Sequence, residues 1–127
     1  MTKPIDAKLH GMLDYGFAAM NLVVPILLKL PAQTRNIYAG LAGTVASVNA
    51  VTDTPVGVKP LMSLKNHQKA DLSLLGTMAL LTLAKPIREH KPSLYFHLGT
   101  FAAVLTQYLL TDFDRKNVIE ELAVQPS

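Results

Sequence analysis

Long uncharged runs alternate with short charged clusters along this chain. Tyr15 to Leu28, Asn36 to Thr52 and Leu72 to Ala84 carry no charge, and neither does Pro92 to Thr111 with His97 neutral. None of the runs alternates with the period of two that marks a strand, and each is long enough for a helix. The pattern predicts four helices. The first opens at Pro4 and Asp6, with Asp6 as cap or first-turn acid, and runs to about Leu30, with Pro25 inside it and Pro31 as its stop. The second runs from about Thr34 or Asn36 to Thr52. The third starts at Ser63 or Asn66, either of which suits a cap, and ends near Lys85 because Pro86 follows. The fourth starts near Pro92 and Ser93, where proline suits a first turn, and ends at about Thr111 or Asp112. The charged stretch from Asp114 to Leu122 reads as a short amphipathic helix.

The halves of the chain resemble each other. With His10 aligned on His67, Asp14 falls on Asp71, and both first helices run apolar to a basic turn with proline (Lys29 and Pro31, Lys85 and Pro86). A shift of two residues in that turn brings Tyr38-Ala39-Gly40 onto His97-Leu98-Gly99 and Val51-Thr52-Asp53 onto Leu110-Thr111-Asp112. The preserved order of these matches points to duplication. Repeat one covers about residues 6–53, repeat two about 63–112, and residues 113–127 form a charged tail. Each half holds two helices, so the hairpins share one orientation and are related as parallel repeats.

Composition moves this bundle toward a membrane. Of the 127 residues 50% are hydrophobic and only 17% charged, below the roughly 25% of an average soluble domain. The first and fourth runs present no charged face of the kind a soluble bundle shows. A span needs about 20 apolar residues. The fourth run meets this, and the third is short unless Asp71 or Lys85 lies at an interface. In the second helix Ala39, Gly43 and Ser47 share one face and Ala42, Ala46 and Ala50 another, which suits close helix packing and a homo-oligomer. The expected architecture is an all-α, four-helix transmembrane bundle in the bacterial inner membrane, multi-pass and with the lipid bilayer as partner. A slight excess of basic residues on one side favours cytoplasmic termini. Asp6 and Asp14 ahead of the first apolar core make a poor cleavable leader. With no cysteine, disulfides and thiolate sites are excluded. The net charge of +3 is dispersed, so no nucleic-acid stripe is expected.

The motifs resemble those of the SPW-repeat family of small bacterial integral membrane proteins. The resemblance rests on His10-Gly11-Met12-Leu13-Asp14-Tyr15, on His67-Gln68-Lys69-Ala70-Asp71, on the glycine-bearing second helices and on the central Thr52-Asp53-Thr54-Pro55, and it covers about residues 9–113. The Ser-Pro-Trp triplet is absent: Pro25 lies between Val24 and Ile26, and Pro86 between Lys85 and Ile87. The resemblance implies a four-span membrane protein and carries over no catalytic residues.

The chemistry of the chain lies in its duplicated His-x-x-x-Asp pair. Residues four apart face the same way on a helix. In an up-down bundle His10, Asp14, Asn49, Asp53, His67, Asp71, Tyr108 and Asp112 fall at one end. Three readings stay open for them. One is a structural polar collar in which each acid favours a helix start and each histidine bonds an acid of the neighbouring helix. A second is a metal site on His10, Asp14, His67 and Asp71, since imidazole and carboxylate suit zinc, iron or manganese. The last is a path or binding site for a proton or small ligand. His97 reads as a lone core or interfacial histidine and His90 as solvated. The sequence favours a non-catalytic membrane component that binds or passes a small ligand or proton. Its alternatives are a metal-binding membrane enzyme or redox protein and a soluble helical bundle; beyond that metal it names no cofactor.

Overall fold

The computed structural model of the chain describes residues 3–114. It holds α1 (Ala7–Leu27), α2 (Ala32–Ala50), α3 (Leu64–Leu81), α4 (Lys85–Arg88) and α5 (Lys91–Leu110), with no strand among the described residues. The local chemistry accounts for the boundaries. The Asp6 carboxylate caps α1 by accepting from the Leu9 amide at 2.8 Å. Ser63 caps α3 in the same way from the Asn66 amide at 3.2 Å. Lys29 closes α1 in the left-handed region at φ 54°, and the Leu30 amide donates back to the Pro25 carbonyl at 3.0 Å. Pro86 does more than stop a helix. It occupies the first turn of the short α4, so the third predicted helix ends at Leu81 and the turn gains a helical element of its own. The predicted tail helix, Asp114 to Leu122, lies outside the described residues after its first position.

The four long helices run up and down, and their ends are tied in pairs. Asp112 donates its amide to the Ile5 carbonyl at 2.8 Å, and Ile5 donates to Leu110 at 3.1 Å. Asp53 donates to the Met62 carbonyl at 2.8 Å, and Met62 donates to Val51 at 2.8 Å. The start of α1 is thereby bound to the end of α5, and the start of α3 to the end of α2. The loop after α2 lies tightly on Thr52. A Cβ at Gly57 would stand 2.1 Å from the Thr52 carbonyl oxygen, a contact only glycine permits.

The residues turned inward are unusual. Along α1 the buried stripe is Ala7, His10, Gly11, Asp14, Ala18, Asn21 and Pro25. Along α2 it is Thr34, Tyr38, Ala42, Val45 and Asn49, and along α5 Ser93, His97, Thr100 and Val104. These stripes keep the three-to-four spacing of a helix face, but polar and small residues occupy them. An apolar cluster of Leu75, Met78 and Val104, bordered by Phe17, Leu74, Phe101 and Tyr108, fills the space between α3 and α5. Large apolar side chains such as Leu22, Ile26, Leu27, Leu80 and Leu109 stand exposed.

The transmembrane reading is corrected. No helix among the described residues is long and apolar enough to cross a membrane. The uncharged runs are diluted by Asn21, Asn49, His97 and the threonines, α1 begins ahead of its run with His10 and Asp14, and α3 spends its first turns on Lys65, His67, Lys69 and Asp71. The four-span, multi-pass inner-membrane assignment falls with this, and its cytoplasmic termini with it.

Candidate metal centre

His10 and Asp14 stand one turn apart on α1, and His67 and Asp71 do the same on α3. The helix starts face each other, so the pairs interleave. His67 Nε2 lies 3.0 Å from Asp14 Oδ2 and 3.4 Å from Asp71 Oδ1. His10 Nε2 lies 2.9 Å from Asp71 Oδ2 and 3.4 Å from Asp14 Oδ2. Each imidazole thus sits nearer the aspartate of the other helix than its own. One donor atom from each of the four residues lies within 4.8 Å of all the others. Both histidines are buried, at 3% and 1% exposure.

The second nitrogen of each ring is fixed by a threonine. His10 Nδ1 is 2.7 Å from Thr111 Oγ1, and His67 Nδ1 is 2.7 Å from Thr52 Oγ1. Each hydroxyl donates its single proton to the carbonyl one turn back, Gln107 and Val48 respectively, at 2.6 Å. With that proton committed, the threonine oxygen can only accept, so Nδ1 carries a hydrogen on both rings. Every Nε2 therefore faces the carboxylates either as an N–H of an imidazolium or as a free lone pair.

Without an ion the site is a charge quartet. Burial opposes the charged form of His10 and His67, but the nearness of the Asp14 and Asp71 carboxylates outweighs it and raises both from 6.5 to about 9. Burial likewise works against the Asp14 carboxylate, and the two imidazoles, His67 through its hydrogen bond and His10 from 3.4 Å, overcome it and bring the group down to about 2. Gln107 supports Asp14 by donating to Oδ1 at 2.8 Å. One edge of the quartet is poorly made. His10 Nε2 and Asp71 Oδ2 are close, yet they are misaligned for a hydrogen bond, and both are buried atoms with no other hydrogen-bond partner. An ion that holds nitrogen and oxygen at about 2.0–2.2 Å keeps neighbouring donors about 3.0–3.5 Å apart; the histidine–aspartate separations here are 2.9–3.4 Å, and the whole set lies within 4.8 Å.

The other residues expected at this end divide. Asn49 is fully buried and donates to the Gly11 carbonyl at 2.7 Å, bracing α2 against α1 beside His10. Tyr108 lines a cavity at the quartet and packs against Phe113 with ring centroids 5.4 Å apart. Asp53 is exposed, and Asp112 is half-buried and accepts from the Asp114 amide at 3.0 Å; neither belongs to the quartet. The residues just before them, Thr52 and Thr111, reach the histidines instead. The duplicated Thr-Asp signal was visible in the sequence; which member turned inward was not. Gln107 has no counterpart in the first half and gave no signal.

His97 is a core residue. Its Nε2–H is 2.9 Å from the Met78 carbonyl and from Thr82 Oγ1, leaving Nδ1 to accept from the Tyr38 hydroxyl. Burial outweighs the Met78 bond and lowers its basicity, and with every polar atom satisfied it offers nothing to a ligand. His90, expected to be solvated, is half-buried and caps α5 by accepting from the Ser93 amide at 3.2 Å.

No family model, curated protein or solved structure matches this chain. The resemblance to the SPW-repeat family rests on the quoted motifs alone.

Proposed function

We propose that the protein binds one divalent transition-metal ion at His10, Asp14, His67 and Asp71. The observation that supports this most is the convergence of two Nε2 atoms and two carboxylates whose rings are already oriented from behind by Thr52 and Thr111. Metal-ligating histidines characteristically hold their second nitrogen in this way. The misaligned His10–Asp71 edge supports the same reading, because an ion between the two atoms would satisfy both. Two neutral imidazoles and two carboxylates suit zinc, iron or manganese. Titration calorimetry with Zn2+, Mn2+ and anaerobic Fe2+, followed by elemental analysis, should give one ion per chain. His10→Ala and His67→Ala should each lose at least tenfold in affinity. Unchanged binding in both variants would remove the site.

The same reading has the centre shared between two copies of one hairpin. Matched caps at Asp6 and Ser63, matched His-Thr bonds, and contacts between the aligned residues Tyr38 and His97 and Thr34 and Ser93 all support a duplicated architecture with the site on its axis.

A second copy of the chain is a further partner we propose. Ala39, Gly40, Gly43 and Ser47 form an exposed strip on α2, and a Cβ at Gly40 or Gly43 would meet nothing within 4 Å. Interior helical glycines cost about 1 kcal/mol each, and packing within this chain does not require them. Sedimentation velocity should show a dimer that Gly43→Leu converts to monomer at unchanged helicity. A variant that sediments like the wild type would exclude this face.

A further inference from the structure

Two spaces adjoin the quartet. An enclosed cavity of about 10 Å³ is bordered by His10, Asp14, Phe17, Asp71, Val104 and Tyr108. A second, more open cleft of about 50 Å³ lies between α2 and α3, walled by Thr44, Val45, Val48, Ala70 and Leu74, with Asp14, His67 and Asp71 at its floor. Thr44 is exposed, and Val48 and Ala70 are half-buried, so the cleft reaches the surface. A single water needs about 10–15 Å³ by this kind of measure. The inner cavity therefore takes one water at most, whereas the cleft takes a ligand of roughly three to five heavy atoms, room enough for a diatomic beside a water.

The walls select the kind of ligand. Val45, Val48, Ala70 and Leu74 are apolar. The one hydroxyl, Thr44 Oγ1, already donates to the Gly40 carbonyl at 2.9 Å, so no donor is free to hold an anion. A divalent ion balanced by two carboxylates leaves the floor without net charge. The four protein donors also fall short of the six positions that iron or manganese commonly fills, which leaves coordination open on the cleft side.

Resting on the metal reading above, we infer that the loaded centre binds a small neutral diatomic molecule, delivered through the Val48–Ala70 cleft to an open position on the ion. Binding is simple coordination: a lone pair of the diatomic forms a bond to the metal, at most a water leaves, and no other bond breaks.

The test uses the full chain loaded anaerobically with Fe2+, with nitric oxide as the probe. Electron paramagnetic resonance should show a high-spin iron–nitrosyl signal in amounts close to the bound iron. Ala70→Phe and Val48→Phe each place a ring across the cleft from a half-buried position and leave the four ligands in place. Each should cut the nitrosyl signal at least tenfold at equal nitric oxide, with iron content and helicity unchanged. Iron-loaded wild type that forms no nitrosyl would overturn the inference and leave the metal site standing. Full nitrosyl formation in both iron-loaded phenylalanine variants would also overturn it. Failure of wild type to take up iron, manganese or zinc would overturn the metal reading itself.

Discussion

Asp14→Ala is expected to destabilise the metal-free protein by about 3–5 kcal/mol, the usual cost of removing one member of a buried ion pair. Asp14 faces both imidazoles and takes the Gln107 amide as well. Its loss leaves two buried cationic rings with only Asp71 between them. They then lose protons or admit water, and either outcome gives up the interactions that offset their burial. Domains are commonly stable by only about 5–15 kcal/mol, so a substitution of this size is easily read from a denaturant midpoint. Asp53→Ala is the control. Asp53 occupies the same end of the fold but is exposed, and its removal should stay within about 0.5 kcal/mol. A double variant, Asp14→Ala with His67→Ala, should cost clearly less than the two single changes added, because the second removes a cation the first has stranded. Equal effects of Asp14→Ala and Asp53→Ala, or strict additivity of the pair, would show that the quartet does not act as a unit.

Much of the architecture was legible, and the gaps have physical causes. Proline and cap chemistry placed the four long helices within a few residues. They could not show that Pro86 would start a turn of α4, because the same residue serves both to end one helix and to begin the next. The halves were aligned by His10 and His67 together with the Thr-Asp pairs. The sequence could not say whether Thr52 or Asp53 faces inward, since adjacent helix-end residues differ by about 100° in direction. Charge attracts notice in a sequence, so the acids drew attention while the threonines that orient the rings did not. The membrane expectation failed for a related reason. Absence of charge is not apolarity: Asn21, Thr34, Asn49, Ser93 and Thr100 are uncharged, polar and buried. Their hydroxyl and amide groups make a polar interior that lowers the hydropathy of α1, α2 and α5. Polar residues at three-to-four spacing proved the better guide to the buried face than the leucines and valines between them, many of which are exposed.

The stability of the protein should fall above neutral pH without the ion and hold steady with it. In the metal-free chain His10 and His67 are raised from 6.5 to about 9 on folding. A raised folded value means that the folded state holds the proton more tightly, so this contribution is complete below about 6.5 and disappears as pH climbs through 9. Asp14, lowered from 3.8 to about 2, contributes fully above about 3.8 and loses its effect as pH falls through 2. Stability of the metal-free chain should therefore be flat from about pH 4 to 6.5 and fall by a few kcal/mol toward pH 10. An ion at the centre cancels the alkaline limb. It needs both Nε2 lone pairs, while the threonines keep Nδ1 protonated, so each ion displaces two protons. Two imidazolium ions and two carboxylates sum to zero charge, and so do a divalent ion, two neutral imidazoles and two carboxylates. The exchange leaves the buried site neutral, which is why a low-dielectric interior can host either state. Between pH 6.5 and 9 the apparent affinity should rise about a hundredfold per pH unit, the slope for release of two protons. Thermal melts of the Zn2+-loaded protein at saturating metal should hold steady across the interval where metal-free protein loses stability, because the rise in affinity offsets that loss. Calorimetry at pH 7.5 in buffers of different ionisation enthalpy should count two protons released per ion. A count near zero would place the ion somewhere other than on these two rings.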